Sequence, residues 1–556
     1  MIQFKTIDGL LLRDMVIAGT ALLEKNREAV DALNVFPVPD GDTGTNMTLT
    51  MQSATREINS KEFLRADEAA NALAKGALKG ARGNSGVITS QLLRGFAKSI
   101  NGVEKITPVQ FAEALTKGAE MAYKAVMKPK EGTILTVARV VAEDAVKQAQ
   151  KDPEDYDKLF NVILKSGEAI LKKTPDMLPA LKQAGVVDSG GRGLLLIYQG
   201  YAAVLRGEDI NMTETGMEND YTAQSDDCHD LTKELTYSYC VNFNLIRFKE
   251  DCDEHDLDSF RRRLNRIGDN VTVSGDLHQA QVHVHTDNPG AVVEYGTELA
   301  EIVDIRIDNL ADMKRKLEAE NGTDGTDKDL PAADAEPQKK YGFVAVSLGA
   351  GFSQFFQDLN VDQIVEGGQT MNPSVDDLLN AVRQVPAQTV FILPNNGNVI
   401  FAANQAAELS KKDVRVIPTK NVAMGIAAAI AFQNDLEPDE NVVRMEEAAQ
   451  HVKTGMVTYA IRDSEYNGIT IKQGDIIGLH NGKIEYSGTS IHEVVMEMMK
   501  NIITDEDELI TVYYGADVKE EDARKLTDEL ESEYGACDVE CHNGGQPLYY
   551  YLISVE

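Results

Sequence analysis

The sequence contains no tryptophan and only five cysteines in 556 residues. So sparse a thiol content excludes a disulfide-stapled scaffold, which needs closely spaced pairs. Positive charge is also scarce: 55 Lys and Arg stand against 89 Asp and Glu, a formal net charge of −34. That balance argues against broad binding to nucleic acid or to an anionic membrane, because both are held by basic surfaces. Only a local basic patch for a partner stays open. Long hydrophobic runs are missing too. The longest, around residues 422–432, is too short for the stretch of about 20 apolar residues that a spanning helix needs. No transmembrane segment is expected. No apolar signal-like stretch leads the sequence, so a cytoplasmic protein with reduced thiols is expected. Residues 1–205 contain no histidine, which removes the commonest general base from that region.

What is present begins with a stiff acidic turn, Asn34-Val35-Phe36-Pro37-Val38-Pro39-Asp40-Gly41-Asp42-Thr43-Gly44-Thr45-Asn46. The two prolines fix their own φ and restrict the residues before them. Gly41 and Gly44 let backbone approach a ligand closely. Thr45 or Asn46 can cap a helix expected over residues 47–55, whose free N–H groups would face the loop. Asp40 and Asp42 then offer two carboxylates beside a helix N-terminus. Magnesium takes one or two carboxylates and completes its shell with water and phosphate oxygens. The competing reading is a plain polar turn, since Asp-Gly is ordinary turn chemistry.

Helical periodicity continues through residues 65–79, 85–100, 108–127, 132–150, 156–173 and 191–205, with few strand signals. The apolar spacing of Leu11, Met15, Ala18 and Leu22, followed by Val30 and Leu33, predicts one helix running up to the acidic turn. Residues 1–205 therefore read as an all-helical bundle with polar loops at one end. Three further glycine turns precede helices: Gly80 to Gly86, Gly132-Thr133 and Asp188-Ser189-Gly190-Gly191. In the first, Gly83 and Gly86 permit close approach and Ser85 can donate to a phosphate oxygen. Arg82 is a candidate for neutralising transferred charge, against the alternative of an ordinary surface arginine.

These four turns together resemble the nucleotide site of the dihydroxyacetone-kinase L-subunit (DhaL) family. The arrangement of the whole chain is similar to the catalytic chains of bacterial fatty acid kinases, the FakA-like family. The resemblance implies an eight-helix barrel with ATP at its mouth and Mg²⁺ on Asp40 and Asp42. It implies nucleotide contacts from Thr43, Gly44 and Asn46, from Gly83, Asn84, Ser85 and Gly86, and from Thr133, Asp188 and Gly190. The DhaL family carries a third Asp a few residues before this pair. Here its place falls near Asn34 and Val35, so Asn34 would offer a neutral oxygen instead. Where that family often has His, this chain has Thr43.

Residues 207–232 are polar and acidic and read as a connector. An α+β segment follows at about 233–315, with strands expected near residues 237–248, 271–273 and 280–286 and a helix over 254–268. His283 and His285 fall on one face of a strand and Val282 and Val284 on the other, because the side-chain period is two. With Cys240 from a neighbouring strand they make a plausible zinc set. Glu234, Cys228, His229 and His255 are open candidates for a fourth ligand; a pair of ordinary hydrogen-bonded histidines is the bland alternative. The FakA-like resemblance implies a metal at the matching Cys and His positions.

A second linker at 318–340 leads into strands alternating with helices, which implies a parallel sheet. Strands are expected at 341–347, 388–393 and 414–418, then in a second α/β unit near 455–462, 475–487, 509–514 and 546–554. Residues 340–556 resemble the DegV family of fatty-acid-binding proteins. The segment Gly368-Gln369-Thr370-Met371-Asn372-Pro373-Ser374 lies where those carriers hold a lipid carboxylate with hydroxyls. Met371 replaces one of those serines, and a thioether cannot hold a carboxylate in that way. A carrier-like fold that has lost lipid binding and docks a partner is expected. Cys537, Cys541 and His542 read as incidental.

The expected activity is an ATP-dependent kinase acting on the carboxylate of a fatty acid, presented by a separate DegV-family carrier, with acyl phosphate and ADP as products. A carboxylate is already ionised at neutral pH and needs no base, which fits the histidine-free first domain. The alternatives are a kinase for a small polyol such as dihydroxyacetone, a non-catalytic lipid-linked regulatory scaffold, and a zinc hydrolase centred on Cys240, His283 and His285. A homodimer is expected only by analogy with related proteins.

Overall fold

A computed structural model describes residues 4–34, 41–126, 128–208, 237–249, 252, 254–275, 277, 279–310, 338–368, 371–466 and 468–556. The chain divides into two compact units. One takes Met1–Met217 together with Ala333–Glu556, and the other takes Glu218–Ala332.

The first unit opens with helices α1 (Gly9–Lys25), α2 (Arg27–Asp31), α3 (Thr43–Asn59), α4 (Ala66–Lys79), α5 (Gly83–Ser99), α6 (Pro108–Ala125), α7 (Ile134–Lys151), α8 (Tyr156–Leu171), the short α9 (Thr174–Met177) and α10 (Pro179–Ala184), and α11 (Ser189–Arg206). The eight long helices pack in the ring α1-α3-α4-α5-α6-α7-α8-α11, and α11 closes back on α1. Apolar faces at helical spacing fill the interior with one continuous core. Small residues set the closest approach: a Cβ on Gly200 would sit 2.5 Å from the Gly19 Cα. Neighbouring helices run up and down around the ring, so alternate helices α3, α5, α7 and α11 all begin at the same mouth. The single helix expected before the acidic turn is two. The chain breaks at Asn26, whose side-chain amide donates to the Leu22 carbonyl at 2.7 Å and ends α1.

The same unit continues with β5 to β16, numbered after the four strands of the other unit. A four-stranded parallel sheet has the order β6-β5-β7-β8. Its elements are β5 (Lys339–Ser347), α14 (Ala350–Asp358), β6 (Gln363–Glu366), α15 (Val375–Gln384), β7 (Ala387–Leu393), α16 (Ile400–Leu409) and β8 (Asp413–Val416), followed by α17 (Val422–Ala431) and α18 (Pro438–His451). A second, mixed sheet of six strands follows: β9 (Lys453–Tyr459), β12 (Ile476–His480), β13 (Lys483–Gly488), β14 (Leu509–Tyr514), β15 (Asp538–Asn543) and β16 (Tyr551–Val555). The hairpin β10 (Ser464–Tyr466) with β11 (Ile469–Ile471), α19 (Ile491–Ile502) and α20 (Glu520–Glu533) complete it. The strand expected at 475–487 is a hairpin, because Asn481 and Gly482 both adopt positive φ and turn the chain. Strand β15 escaped the sequence reading; it pairs in parallel at the sheet edge with every residue exposed or half-exposed, so it lacks a run of apolar residues.

The helical barrel and the parallel sheet share packing. Ala81 and Val87, at the start of α5, are fully buried in the same apolar cluster as Val344, Val375 and Ile392.

The second unit is an antiparallel sheet of order β2-β3-β1-β4 with two helices. Its elements are β1 (Tyr239–Ile246), α12 (Glu254–Ile267), β2 (Gly268–Gly275), β3 (Gln279–Thr286), α13 (Pro289–Leu299) and β4 (Glu301–Asn309). Val241, Phe243, Val282 and Val284 bury on the helix side. No helix among the described residues is long and apolar enough to cross a membrane.

Candidate functional site

The barrel mouth holds a cleft of about 400 Å³, within the size range of small-ligand sites. It is lined by the first residues of α3 (Asp42, Thr43, Asn46), α5 (Asn84, Ser85, Ile88), α7 (Thr133, Ile134) and α11 (Asp188, Ser189, Gly190), with Asn34 and Asn398. Four helix N-termini thus face one space. The first N–H groups of a helix have no intrahelical partner and carry the positive end of its dipole. Such a convergence favours phosphate. No side chain caps α5, so its opening N–H groups face the cleft without competition.

Asp42 occupies the N-cap position of α3, yet its carboxylate does not cap the helix. Asp31 does. It accepts from the Gly44 N–H at 2.6 Å, the Thr45 N–H at 3.1 Å and the Thr45 hydroxyl at 2.8 Å. Burial raises the Asp31 carboxyl above its usual range, and these hydrogen bonds pull it partly back. With that task taken, the Asp42 carboxylate turns elsewhere: its Oδ2 accepts from the Asn372 side-chain amide. Asn34 Oδ1 accepts from the Thr43 hydroxyl at 2.8 Å and the Ser189 hydroxyl at 3.1 Å, which ties the turn to α11. Asp188 caps α11 through the Gly191 N–H at 2.7 Å. Burial pushes its carboxyl up to about 6, opposed by the Gly191 and Ile134 N–H groups. The Thr133 hydroxyl donates back to the Lys130 carbonyl at 2.8 Å, so it shapes the turn before α7.

In the second unit Cys240, His283 and His285 form a cluster with ligand atoms within 4.8 Å of one another. The strand register explains it, since Cys240 pairs with His285 and Asn242 with His283 across β1 and β3. The Asn242 amide donates to Cys240 Sγ at 3.2 Å, and Asn242 Oδ1 lies 2.8 Å from His283 Nδ1. His285 Nδ1 lies 3.7 Å from the Asp269 carboxylate. Sulfur with two imidazoles is a donor set suited to zinc. His255 is exposed at the start of α12 and is not in the cluster. Cys228, His229 and Glu234 lie outside the described residues.

Three family models match the chain in succession. The model described as "DAK2 domain" matches residues 37–203. The FakA-like middle-domain model of fatty acid kinases matches 236–317, and the FakA-like C-terminal model matches 342–556. The chain is 41% identical over 562 residues to the protein YloV of Bacillus subtilis, with 100% of each chain covered. The chain belongs to the FakA-like fatty acid kinase family. An uncharacterised protein of Staphylococcus saprophyticus is 39% identical over 556 residues, with 99% of each chain covered. Among solved structures, DegV of B. subtilis, a fatty acid binding protein, is similar over 39% of this chain and 99% of that one, at 13% identity and a TM-score of 0.32.

In this FakA-like chain, the cleft brings together Asn34, Asp42, Thr43, Asn46, Asn84, Ser85, Thr133, Asp188 and Gly190 from the sequence-derived set. Asp40 lies outside the described residues. Gly44 and Gly86 support the lining from behind: a Cβ would come within 2.3 Å of the Arg27 carbonyl and of the Thr50 hydroxyl, respectively. Gly83 has φ +57°, and a Cβ there would strike the Asn46 amide at 2.4 Å. Arg82 is not among the lining residues. Its guanidinium donates to the Asn372 carbonyl at 2.8 Å and pairs with Asp377 at 3.4 Å. Three residues at the site were missed. Asp31 was hidden because the chain before the turn read as one helix. Asn372 and Asn398 come from loops at the carboxyl ends of β6 and β7, where open parallel sheets commonly place ligands. The asparagine-rich loop after β7 was the available signal. Cys537 and His542 bond to the Asp507 carbonyl and to Glu540 rather than forming a metal cluster among the described residues.

Proposed function

We propose that this chain is the ATP-dependent kinase of a fatty acid kinase system, phosphorylating a fatty acid carboxylate held by a separate DegV-family carrier. The observation that carries the reading is the convergence of four helix N-termini and the Asp42 carboxylate on one cleft. Phosphoryl transfer asks mainly for positioning and charge neutralisation. The opening N–H groups of α5, with Ser85 and Thr43, would orient the phosphates. The acceptor carboxylate oxygen attacks the γ-phosphorus, the bond to the bridging oxygen breaks, and ADP leaves with that electron pair. No proton moves, so no base is required.

The Asp42 carboxylate at the cleft is a hard oxygen donor, and the Asn372 Oδ1 beside it is buried with no hydrogen-bond partner. This fits a small hard cation. Asp42, with Asp40 beside it in sequence, would hold Mg²⁺, which when bound offsets charge on the phosphate oxygens. Cys240, His283 and His285 would hold zinc. The C-terminal half would dock the carrier rather than bind lipid itself. The Ser374 hydroxyl, in the segment that resembles the lipid-holding one, is committed to capping α15 through the Asp377 N–H. Met371 beside it is 67% exposed.

The test is incubation of the full chain with labelled ATP and Mg²⁺, once with a fatty-acid-loaded DegV-family carrier and once with dihydroxyacetone. Acyl phosphate and ADP are expected only in the first arm, and none with Asp40→Ala or Asp42→Ala. Wild-type rates in both variants, or turnover of the polyol alone, would overturn the reading.

A further inference from the structure

We infer that Asn372, from the C-terminal half of the chain, is a positioning residue of the cation–nucleotide site, so that the site is complete only when the parallel sheet is seated on the barrel. The inference rests on the kinase reading of the cleft.

Five observations carry it. The loop after β6 is fastened to the loop before α5 by backbone and side chain: the Val375 N–H donates to the Ala81 carbonyl at 3.1 Å, and Arg82 donates to the Asn372 carbonyl at 2.8 Å. Asn372 is 1% exposed, far from the setting of an ordinary loop asparagine. Its amide nitrogen donates to Asp42 Oδ2, the carboxylate that Asp31 has relieved of capping. Its Oδ1 is buried without a hydrogen-bond partner, and a buried amide oxygen left so is costly unless a cation or water meets it. Gly83 keeps the space open, since a Cβ there would come 3.3 Å from the Asn372 amide nitrogen.

The chemistry follows. A carboxylate that is to hold a divalent cation gains affinity when another group fixes its orientation, and losing that group typically lowers metal affinity or activity by about 10- to 100-fold. Arg82 acts one step further out, by holding the backbone that presents Asn372. A carrier docked on the C-terminal half would then sit on the element that orders the kinase carboxylate.

The experiment measures Mg²⁺-dependent binding of a non-hydrolysable ATP analogue by full-length wild type, Asn372→Ala and Gln405→Ala. Gln405 bonds to Gln91 at 2.8 Å across the same packing surface, outside the cleft, and reports general loosening. Thermal unfolding of all three checks the fold. Asn372→Ala is expected to raise the Mg²⁺ concentration for half-saturation about tenfold or more. Gln405→Ala should stay within about twofold of wild type. Equal weakening in the two variants, unchanged binding in Asn372→Ala, or tighter binding there would overturn the inference while leaving the kinase reading intact. A wild type that binds no Mg²⁺–nucleotide would overturn both. Should Asn372→Ala unfold, Asn372→Asp serves instead. It places a second carboxylate beside Asp42, and unchanged Mg²⁺ dependence there would equally overturn the inference.

Discussion

Replacing Gly83 by alanine should damage the site far more than the fold. The residue opens α5 with φ +57°, where an L side chain costs about 1–2 kcal/mol. The added Cβ would meet the Asn46 amide nitrogen at 2.4 Å and its Cγ at 2.9 Å, with the Asn372 amide nitrogen at 3.3 Å. Asn46 is 3% exposed and borders the cleft, so relieving the clash pushes its side chain into the space the phosphates would take or against Asn372. A displacement of the order of 1 Å at a phosphoryl-transfer site costs roughly 100-fold in rate. Gly102→Ala is the control. Its φ is +82°, but nothing lies within 4 Å of a Cβ there, so it carries the backbone strain alone. Denaturant titration should show both variants losing about 1–2 kcal/mol, with Gly83→Ala somewhat the worse. Carrier-coupled ATP turnover should fall roughly 100-fold in Gly83→Ala and stay within about twofold of wild type in Gly102→Ala. Near-wild-type turnover in Gly83→Ala would show that the site does not depend on the space left by this glycine.

Asp188 gives a pH prediction. Burial raises its folded-state carboxyl from 3.8 to about 6, so the folded chain keeps this proton to higher pH than the unfolded one. Its contribution to stability is full below about pH 4 and declines as the pH rises to about 6. In urea titrations Asp188→Asn should therefore gain on wild type by up to about 3 kcal/mol between about pH 4 and pH 6, then hold level; a pH-independent difference would contradict this. Purified wild type should carry about one zinc per chain, lost in the double variant Cys240→Ala/His283→Ala. Equal zinc in both proteins would remove the site. Native mass spectrometry of the full chain should find no stoichiometric fatty acid, and finding one would show that the C-terminal half still binds lipid.

The sequence made the barrel legible wherever a helix had an apolar stripe and glycine punctuation. The starts of α5, α7 and α11 fell within two residues of their expected places, because Gly-Asn-Ser and Asp-Ser-Gly turns mark N-termini chemically. His283 and His285 could be placed on one strand face for a similarly local reason, the two-residue alternation against Val282 and Val284. What stayed hidden depends on distance along the chain. Asp31 caps a helix that begins after an intervening turn, and no local pattern tells a capping carboxylate from a metal-facing one. Asn372 reaches Asp42 across 330 positions, and Arg82 is drawn to the same loop; only the burial of Ala81 and Val87 against the parallel sheet explains both.

The most direct test is a crystal structure of the full chain with Mg²⁺ and a non-hydrolysable ATP analogue. The terminal phosphates are expected against the opening N–H groups of α5, with the cation on the carboxylates of Asp40 and Asp42. Nucleotide bound elsewhere, with Asp42 still joined only to protein and the barrel mouth empty, would contradict it.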